Sequence, residues 1–156
     1  MKRARFAVIA AAVFAVATVA FAQAKPDFSG TWTPDQPAAA PGGGGGRMGM
    51  GGPMTVKQTP DTLTIERSMG DNKISTVYKL DGTETVNKQM GRGGEVEVKT
   101  TAKWDGNKLV LSSTRPGQDG TPRTTAQTWS LDGGNLTIEG QGRGGETTKT
   151  VYKKTT

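Results

Sequence analysis

The chain of 156 residues contains no cysteine and no histidine, and aromatic residues make up only 6% of it. These absences exclude disulfides, thiolate nucleophiles, the usual zinc sites and every catalytic triad that needs imidazole. Carboxylates are scattered, and no spacing pairs two of them for acid-base catalysis. We therefore predict that the protein is not an enzyme and needs no cofactor.

The chain opens with a hydrophobic leader. Lys2, Arg3 and Arg5 precede an apolar run from Phe6 to Phe21, which ends in Ala20-Phe21-Ala22. This pattern is typical of a signal peptide, so we predict cleavage after residue 22 and a periplasmic or secreted protein. The run is shorter than the roughly 20 residues that a spanning helix prefers, and we expect no stable membrane insertion after cleavage. No cysteine follows the cleavage site, which excludes a lipid anchor.

The positive charge is modest once the leader is removed. Loss of its three cations lowers the formal net charge from +6 to +3, and the remaining Lys and Arg alternate with Glu and Asp. The chain lacks the basic block that is typical of nucleic-acid binding, so we expect no nucleic-acid partner. Residues 23–156 suffice for one domain, and we expect a monomer.

A low-complexity segment interrupts the remaining chain. Residues 34–53 are rich in Pro and Gly, and the stretch from Pro41 to Pro53 holds eight Gly in thirteen residues. This composition predicts a disordered loop. Met48, Met50 and Met54 lie in or beside it, and three thioethers on a mobile loop could bind Cu(I), which prefers soft sulfur ligands. Alternatively, these side chains fold back onto the protein as adaptable apolar plugs.

β-Branched residues in period-two alternation fill the rest of the chain. In the clearest strand, Glu95 to Trp104, the even-numbered residues share one apolar face and the odd-numbered residues share a polar one. One face therefore meets a core and the other meets water. The predicted strands are Phe28–Thr33, Met54–Thr59, Thr62–Arg67, Lys73–Leu80, Glu84–Lys88, Glu95–Trp104, Lys108–Thr114, Arg123–Leu131, Leu136–Glu139 and Thr147–Lys153.

Turn signals separate these strands at short intervals. Asp105-Gly106 and Asp132-Gly133 each stand between two alternating segments, which indicates a hairpin because Gly accepts a positive φ. No stretch after the leader shows helical apolar spacing with caps. The pattern predicts an all-β fold, a single antiparallel up-and-down β-barrel of about 8 to 10 strands, because closure removes unpaired edges.

Both ends of this barrel sequence resemble the calycin superfamily, in particular lipocalins and ten-stranded fatty-acid-binding proteins. Phe28-Ser29-Gly30-Thr31-Trp32 is similar to their opening Phe-x-Gly-x-Trp, in which the Trp closes one end of the barrel. Thr147 to Lys154 resembles their last strand, which commonly reads Arg-x-Tyr. The resemblance implies that Tyr152 presents its hydroxyl to a ligand inside the barrel. Thr150 stands where the family has a carboxylate-binding Arg, and the Gly-rich segment replaces the family's helical lid.

We therefore predict an exported, non-enzymatic, lipocalin-like protein that binds a small apolar or amphipathic molecule. The predicted ligand-binding residues are Trp32, Tyr78, Val98, Trp104 and Tyr152. One alternative is a structural or interaction protein of the cell envelope with a filled barrel, since apolar residues are few. A further alternative is weak Cu(I) binding by the Met-rich loop. A deep pocket would favour ligand binding, and a filled interior would favour the structural role.

Overall fold

The computed structural model describes residues 25–35, 52–69, 71–91, 94–117, 119–141 and 147–155. This part of the chain is all-β, as predicted, and it contains no helix long and apolar enough to cross a membrane. The strands are β1 (Gly30–Pro34), β2 (Met54–Gln58), β3 (Thr62–Met69), β4 (Asn72–Lys79), β5 (Thr85–Gly91), β6 (Gly94–Asp105), β7 (Lys108–Pro116), β8 (Pro122–Asp132), β9 (Asn135–Gln141) and β10 (Thr147–Thr155).

All ten strands belong to one antiparallel sheet, in the order β4-β3-β2-β1-β10-β9-β8-β7-β6-β5. Strands that follow one another in sequence pair with one another, apart from β4 and β5, and the first strand also pairs with the last. Thr31 of β1 lies opposite Thr155 of β10 in the ladder that joins these two strands. The sheet therefore curls into a nearly closed barrel, which confirms the predicted up-and-down arrangement.

The barrel closes at a seam between the edge strands β4 and β5, whose described residues form no backbone ladder. Side chains bridge the seam. Asn87 Nδ2 donates to the Val77 carbonyl at 2.9 Å, and Asn87 Oδ1 accepts from the Val77 N–H at 3.2 Å. Thr85 Oγ1 accepts from the Lys79 N–H at 3.1 Å. These bonds satisfy backbone groups of β4 that a strand edge would otherwise expose.

The predicted hairpins form with the expected turn geometry. The β6–β7 turn has Gly106 at a φ of 60°, and the β8–β9 turn has Gly133 at 55°. The strand boundaries differ from the prediction by up to three residues, and both ends of β1 are among them. The first strand begins at Gly30 instead of Phe28, and it includes Pro34, which the composition assigned to the Gly-rich loop. The leader at 1–22 and residues 36–51 of the predicted loop lie outside the described part of the chain.

The two ends of the barrel differ in packing. The closed end comprises residues 25–29 and the turns at 59–61, 80–84, 106–107 and 133–134, and the opposite ends of the strands form the open end. Buried inward residues of the closed half include Trp32, Val56, Leu63, Leu109, Trp129 and Leu136. Several inward residues of the open half are half-buried or exposed, whereas Met54 and Val98 there are buried. The half-buried or exposed ones are Ile74, Thr76, Gln89, Val96, Ser113, Thr125 and Thr148. The closed half is therefore a core, and the open half is reached by solvent.

Candidate ligand-binding site

The side chain of Phe28 fills the closed end of the barrel. Its fully buried ring stacks on Trp104, with 5.8 Å between centroids, and meets Trp129 edge-on at 5.9 Å. The Phe28 N–H donates to Gln58 Oε1 at 2.9 Å, and Trp32 Nε1 donates to the Phe28 carbonyl at 2.8 Å. Phe28 leaves the strand geometry because these contacts hold its backbone across the bottom of the barrel. The Phe-x-Gly-x-Trp motif thus closes this end of the barrel.

The Gly of that motif suits a backbone conformation that residues with a side chain rarely adopt. Gly30 has a φ of 143°, and a Cβ at this position would come within 2.5 Å of Lys154 Cε. The same Lys154 places its Nζ 5.7 Å from the centroid of the Trp32 ring, a cation–π arrangement that covers the ring. Trp32 therefore serves the packing of the closed end.

A pocket of about 280 Å³ lies at the closed end, where Lys25 Nζ stands 5.4 Å from the Trp104 ring centroid. Trp104 is half-buried, and its Nε1 has no hydrogen-bond partner among the described residues. The pocket is lined by Lys25, Asp27, Gln58, Thr59, Pro60, Leu80 and Trp104. Its lining residues all lie at the closed end, away from the inward residues of the open half.

Arg67 carries a charge into the barrel interior. It shares the inward face of β3 with Leu63 and Ile65, and it lies between Met54 of β2 and Ile74 of β4 in the ladder. Arg67 Nη2 donates to Met54 Sδ at 3.4 Å. The Arg67 Nε is buried and has no hydrogen-bond partner in the described part of the chain. A buried polar group left in this state costs about 1–3 kcal/mol, and more when it is charged.

The positive charge of Arg67 affects the pKa of two phenols, those of Tyr78 and Tyr152. Burial raises the pKa of Tyr78 and of Tyr152, and the Arg67 charge opposes this rise in both cases. Burial also lowers the pKa of the Arg67 guanidinium, and the electrostatic interaction with the two phenols opposes this decrease. Because their pKa is raised, both phenols are protonated at neutral pH, where arginine guanidinium groups are charged. The group offers hydrogen-bond donors and one positive charge, which suits an oxyanion.

The inward positions of the described strands carry four cations and no carboxylate. Directly opposed residues in an antiparallel ladder share a face, so the pairing fixes which side chains point inward. The four inward cations are Arg67, Arg115, Arg123 and Lys154. The acidic strand residues all point outward: Glu66, Glu95, Glu97, Asp105, Asp132 and Glu139. Three of these cations, Arg67, Arg115 and Arg123, lie in the open half, which therefore favours an anion.

The structure separates the five predicted ligand-binding residues into two groups. Tyr78 and Tyr152 face inward near Arg67, and Val98 also faces inward and is 4% exposed. Trp32 and Trp104 belong to the packing around Phe28 at the closed end. Arg67 was not predicted as a site residue, although its position two residues after Ile65 in a predicted strand places it on the apolar face.

The described part of the chain includes only one of the three proposed copper ligands. Met54 begins β2 and is 2% exposed, so it is a core residue and is not carried on a mobile loop. Its sulfur accepts from the Arg67 guanidinium, whose positive charge would repel a cation at this place. Met48 and Met50 lie outside the described residues.

These features define a ten-stranded barrel with the fold of the fatty-acid-binding-protein-like calycin barrels, as the sequence resemblance predicted. No family model and no curated protein matches the sequence. Secretory abundant heat soluble protein 4 from Ramazzottius varieornatus is 21% identical, with 82% of this chain and 94% of that chain covered and a TM-score of 0.57.

Two further solved structures share the architecture. A variant of the fluorescent protein UnaG is 19% identical, with 83% of this chain and 96% of that chain covered and a TM-score of 0.56. A protein described as the REP1-NXSQ fatty acid transporter is 17% identical, with 67% and 70% covered and a TM-score of 0.50. At such identities the likeness establishes the fold.

Proposed function

We propose that this protein binds a small amphipathic anion in the open half of the barrel, with Arg67 as the anchor of the acidic group. One observation carries the proposal: the buried Arg67 Nε has no partner among the described residues. A carboxylate or a related oxyanion would pair with this donor through charge-assisted hydrogen bonds. A thioether is a weak acceptor, so the guanidinium loses little when it turns from Met54 to a ligand.

The shape of the interior limits the apolar part of the ligand. The closed half is filled by a core cluster that includes Leu63, Leu109 and Trp129. The ligand therefore lies on top of this core, among the half-buried side chains of the open half. Burial against that apolar floor contributes about 25 cal/mol for each Å² removed from water. A fatty acid transporter among the similar structures supports a carboxylate as the acidic group.

The proposal includes export, no catalysis and a monomeric state. Export is supported by the basic start, the apolar run and the Ala20-Phe21-Ala22 ending. Expression of the whole chain in a secreting host is expected to give a protein that begins at Gln23, as read by intact mass spectrometry. Recovery of the uncleaved chain in the membrane fraction would contradict this part of the proposal.

Paired probes test the anchor directly. Anilinonaphthalene sulfonate is a fluorescent amphipathic anion, and phenylnaphthylamine is its neutral analogue without the sulfonate. We expect the wild type to prefer the sulfonate, and Arg67→Met to weaken its binding by about ten- to hundredfold, the equivalent of a charge-assisted hydrogen bond. Binding of the neutral probe should change less than about twofold, because apolar burial is retained.

Two variants control for charge and for folding. Arg67→Lys keeps the charge but loses the planar fork, so an intermediate affinity is expected. Lys154→Met removes the inward cation of the closed end and should leave sulfonate binding unchanged. Equal affinities of both probes for the wild type, or an unaltered sulfonate affinity in Arg67→Met, would refute the proposal.

The packed closed half also favours a second candidate, a structural or interaction protein that uses its outer surface. This role predicts that neither probe binds in the open half. Val98 and Thr148 lie on the inward face of the open half. If adding the sulfonate protects their amides from hydrogen exchange, ligand binding is favoured over the structural role.

A further inference from the structure

Two more inward cations lie at the rim of the open end. Arg115 of β7 lies directly opposite Arg123 of β8. They form the second-to-last residue pair of the β7–β8 ladder at the open end. Lower on the same face, these strands carry the buried Leu109 and Trp129. Both arginines are exposed. They are thus the inward cations that solvent reaches first.

This arginine pair is poorly neutralised. Arg123 Nη2 lies 3.8 Å from Asp119 Oδ2, whose carboxylate is already engaged by the N–H and the hydroxyl of Thr121 through Oδ1. Arg115 forms no ion pair with any described residue. Like charges directly opposite one another in a ladder are destabilising. Against this repulsion, Arg115 has no ion-pair partner among the described residues, and Arg123 has one at 3.8 Å.

The rim pair and Arg67 lie on different walls of the barrel. In the order of the ten strands, β3 and β8 are five places apart, so they stand on opposite sides of the interior. Arg67 is half-buried, whereas Arg115 and Arg123 are exposed. An anion that approaches the open end meets the exposed pair before it reaches the buried guanidinium.

We propose that Arg115 and Arg123 steer the anionic ligand into the open end and thereby set its association rate. This inference rests on the proposed function. Exposed charges at a rim act before contact, so they change the association rate and its dependence on salt more than the dissociation rate. At about 0.1 M salt the Debye length is about 10 Å, which screens such an attraction.

Stopped-flow fluorescence with anilinonaphthalene sulfonate measures both rates. For Arg115→Gln/Arg123→Gln at low salt we expect association to slow by about three- to tenfold, while dissociation changes less than about twofold. The salt dependence of association should flatten. Association of the neutral phenylnaphthylamine should stay the same, because it carries no charge to steer.

A matched control removes the same charge from the far end. Lys79→Gln/Lys108→Gln neutralises two exposed cations at the closed end and should leave the sulfonate association rate unchanged. Arg115→Lys/Arg123→Lys keeps both charges and should keep the wild-type rate. All variants are first compared by circular dichroism and urea unfolding.

The outcomes distinguish the two proposals. If the wild type shows no preference for the sulfonate over the neutral probe, the proposed function fails. If the preference holds and Arg67→Met abolishes it, but the rim variant associates at the wild-type rate, only the steering proposal is overturned. It is also overturned if the closed-end variant slows association equally, or if the rim variant changes the dissociation rate alone.

Discussion

The two halves of the barrel use the same strands for opposite purposes. In the closed half the inward positions hold Leu109, Trp129 and Leu136, which are fully or almost fully buried. In the open half the same strands carry Arg115, Arg123 and Gly140 at inward positions. A short core at one end can therefore support the fold, which leaves the other end free to present polar groups to a ligand.

A pair of truncations tests this division most strongly. Leu109→Ala removes a side chain that is 0% exposed, and we expect the free energy of unfolding to fall by about 3 kcal/mol. Ile74→Ala removes a half-buried inward side chain of the open half and should cost only about 1 kcal/mol. Urea unfolding of both variants measures the difference. Equal losses would show that both halves are packed as one core.

Arg67 is expected to behave in the opposite way to a core residue. Arg67→Met replaces a buried, incompletely paired guanidinium by an apolar chain, so the free energy of unfolding should stay constant or rise by about 1–3 kcal/mol. The same variant is expected to lose binding of the anionic probe. A loss of stability larger than that of Ile74→Ala would instead make Arg67 a structural residue.

The two phenols near Arg67 give the open half a dependence on alkaline pH. Because burial raises the pKa of Tyr78 and Tyr152, the native state holds both protons more tightly than the unfolded chain. Their contribution is complete below the ordinary tyrosine pKa of about 10 and is lost as the pH rises through the raised values.

Tyr152→Phe removes one of these titrating groups. We therefore expect the variant to lose stability less steeply than the wild type when urea unfolding is repeated from about pH 8 to about pH 11. The two proteins differ only in the phenol hydroxyl, so the difference between the two curves isolates that group. Parallel curves would show that the Tyr152 proton is held no more tightly in the native state.

The sequence was sufficient to predict the fold because its signals are local. Alternation along Glu95 to Trp104 indicated the inward face of β6, and Asp-Gly pairs at 105–106 and 132–133 marked two hairpins. The start of the first strand was predicted too early, since the departure of Phe28 from the strand depends on Trp104 and Gln58, which are distant in sequence.

The candidate site was less accessible from the sequence. Tyr152 was found through the resemblance of the last strand, but the charge beside it comes from β3 and not from the position of Thr150. The alternation of side chains along β3 is enough to place Arg67 inward. Its proximity to Tyr78 and Tyr152, in contrast, depends on how the sheet curls. That curvature is a property of the whole barrel, so no local pattern contains it.

The seam gives the smallest expected effect and a test of how the two halves are joined. Asn87→Ala removes two side-chain hydrogen bonds to Val77, and a loss of about 1 kcal/mol is expected because both groups become accessible to water. Hydrogen exchange should quicken at the Val77 amide, while the Leu109 amide in the closed half keeps its rate. Because the seam bonds are few and exposed, their loss should open β4 from β5 locally. Faster exchange at Leu109 as well would mean that the seam and the closed core unfold as one unit.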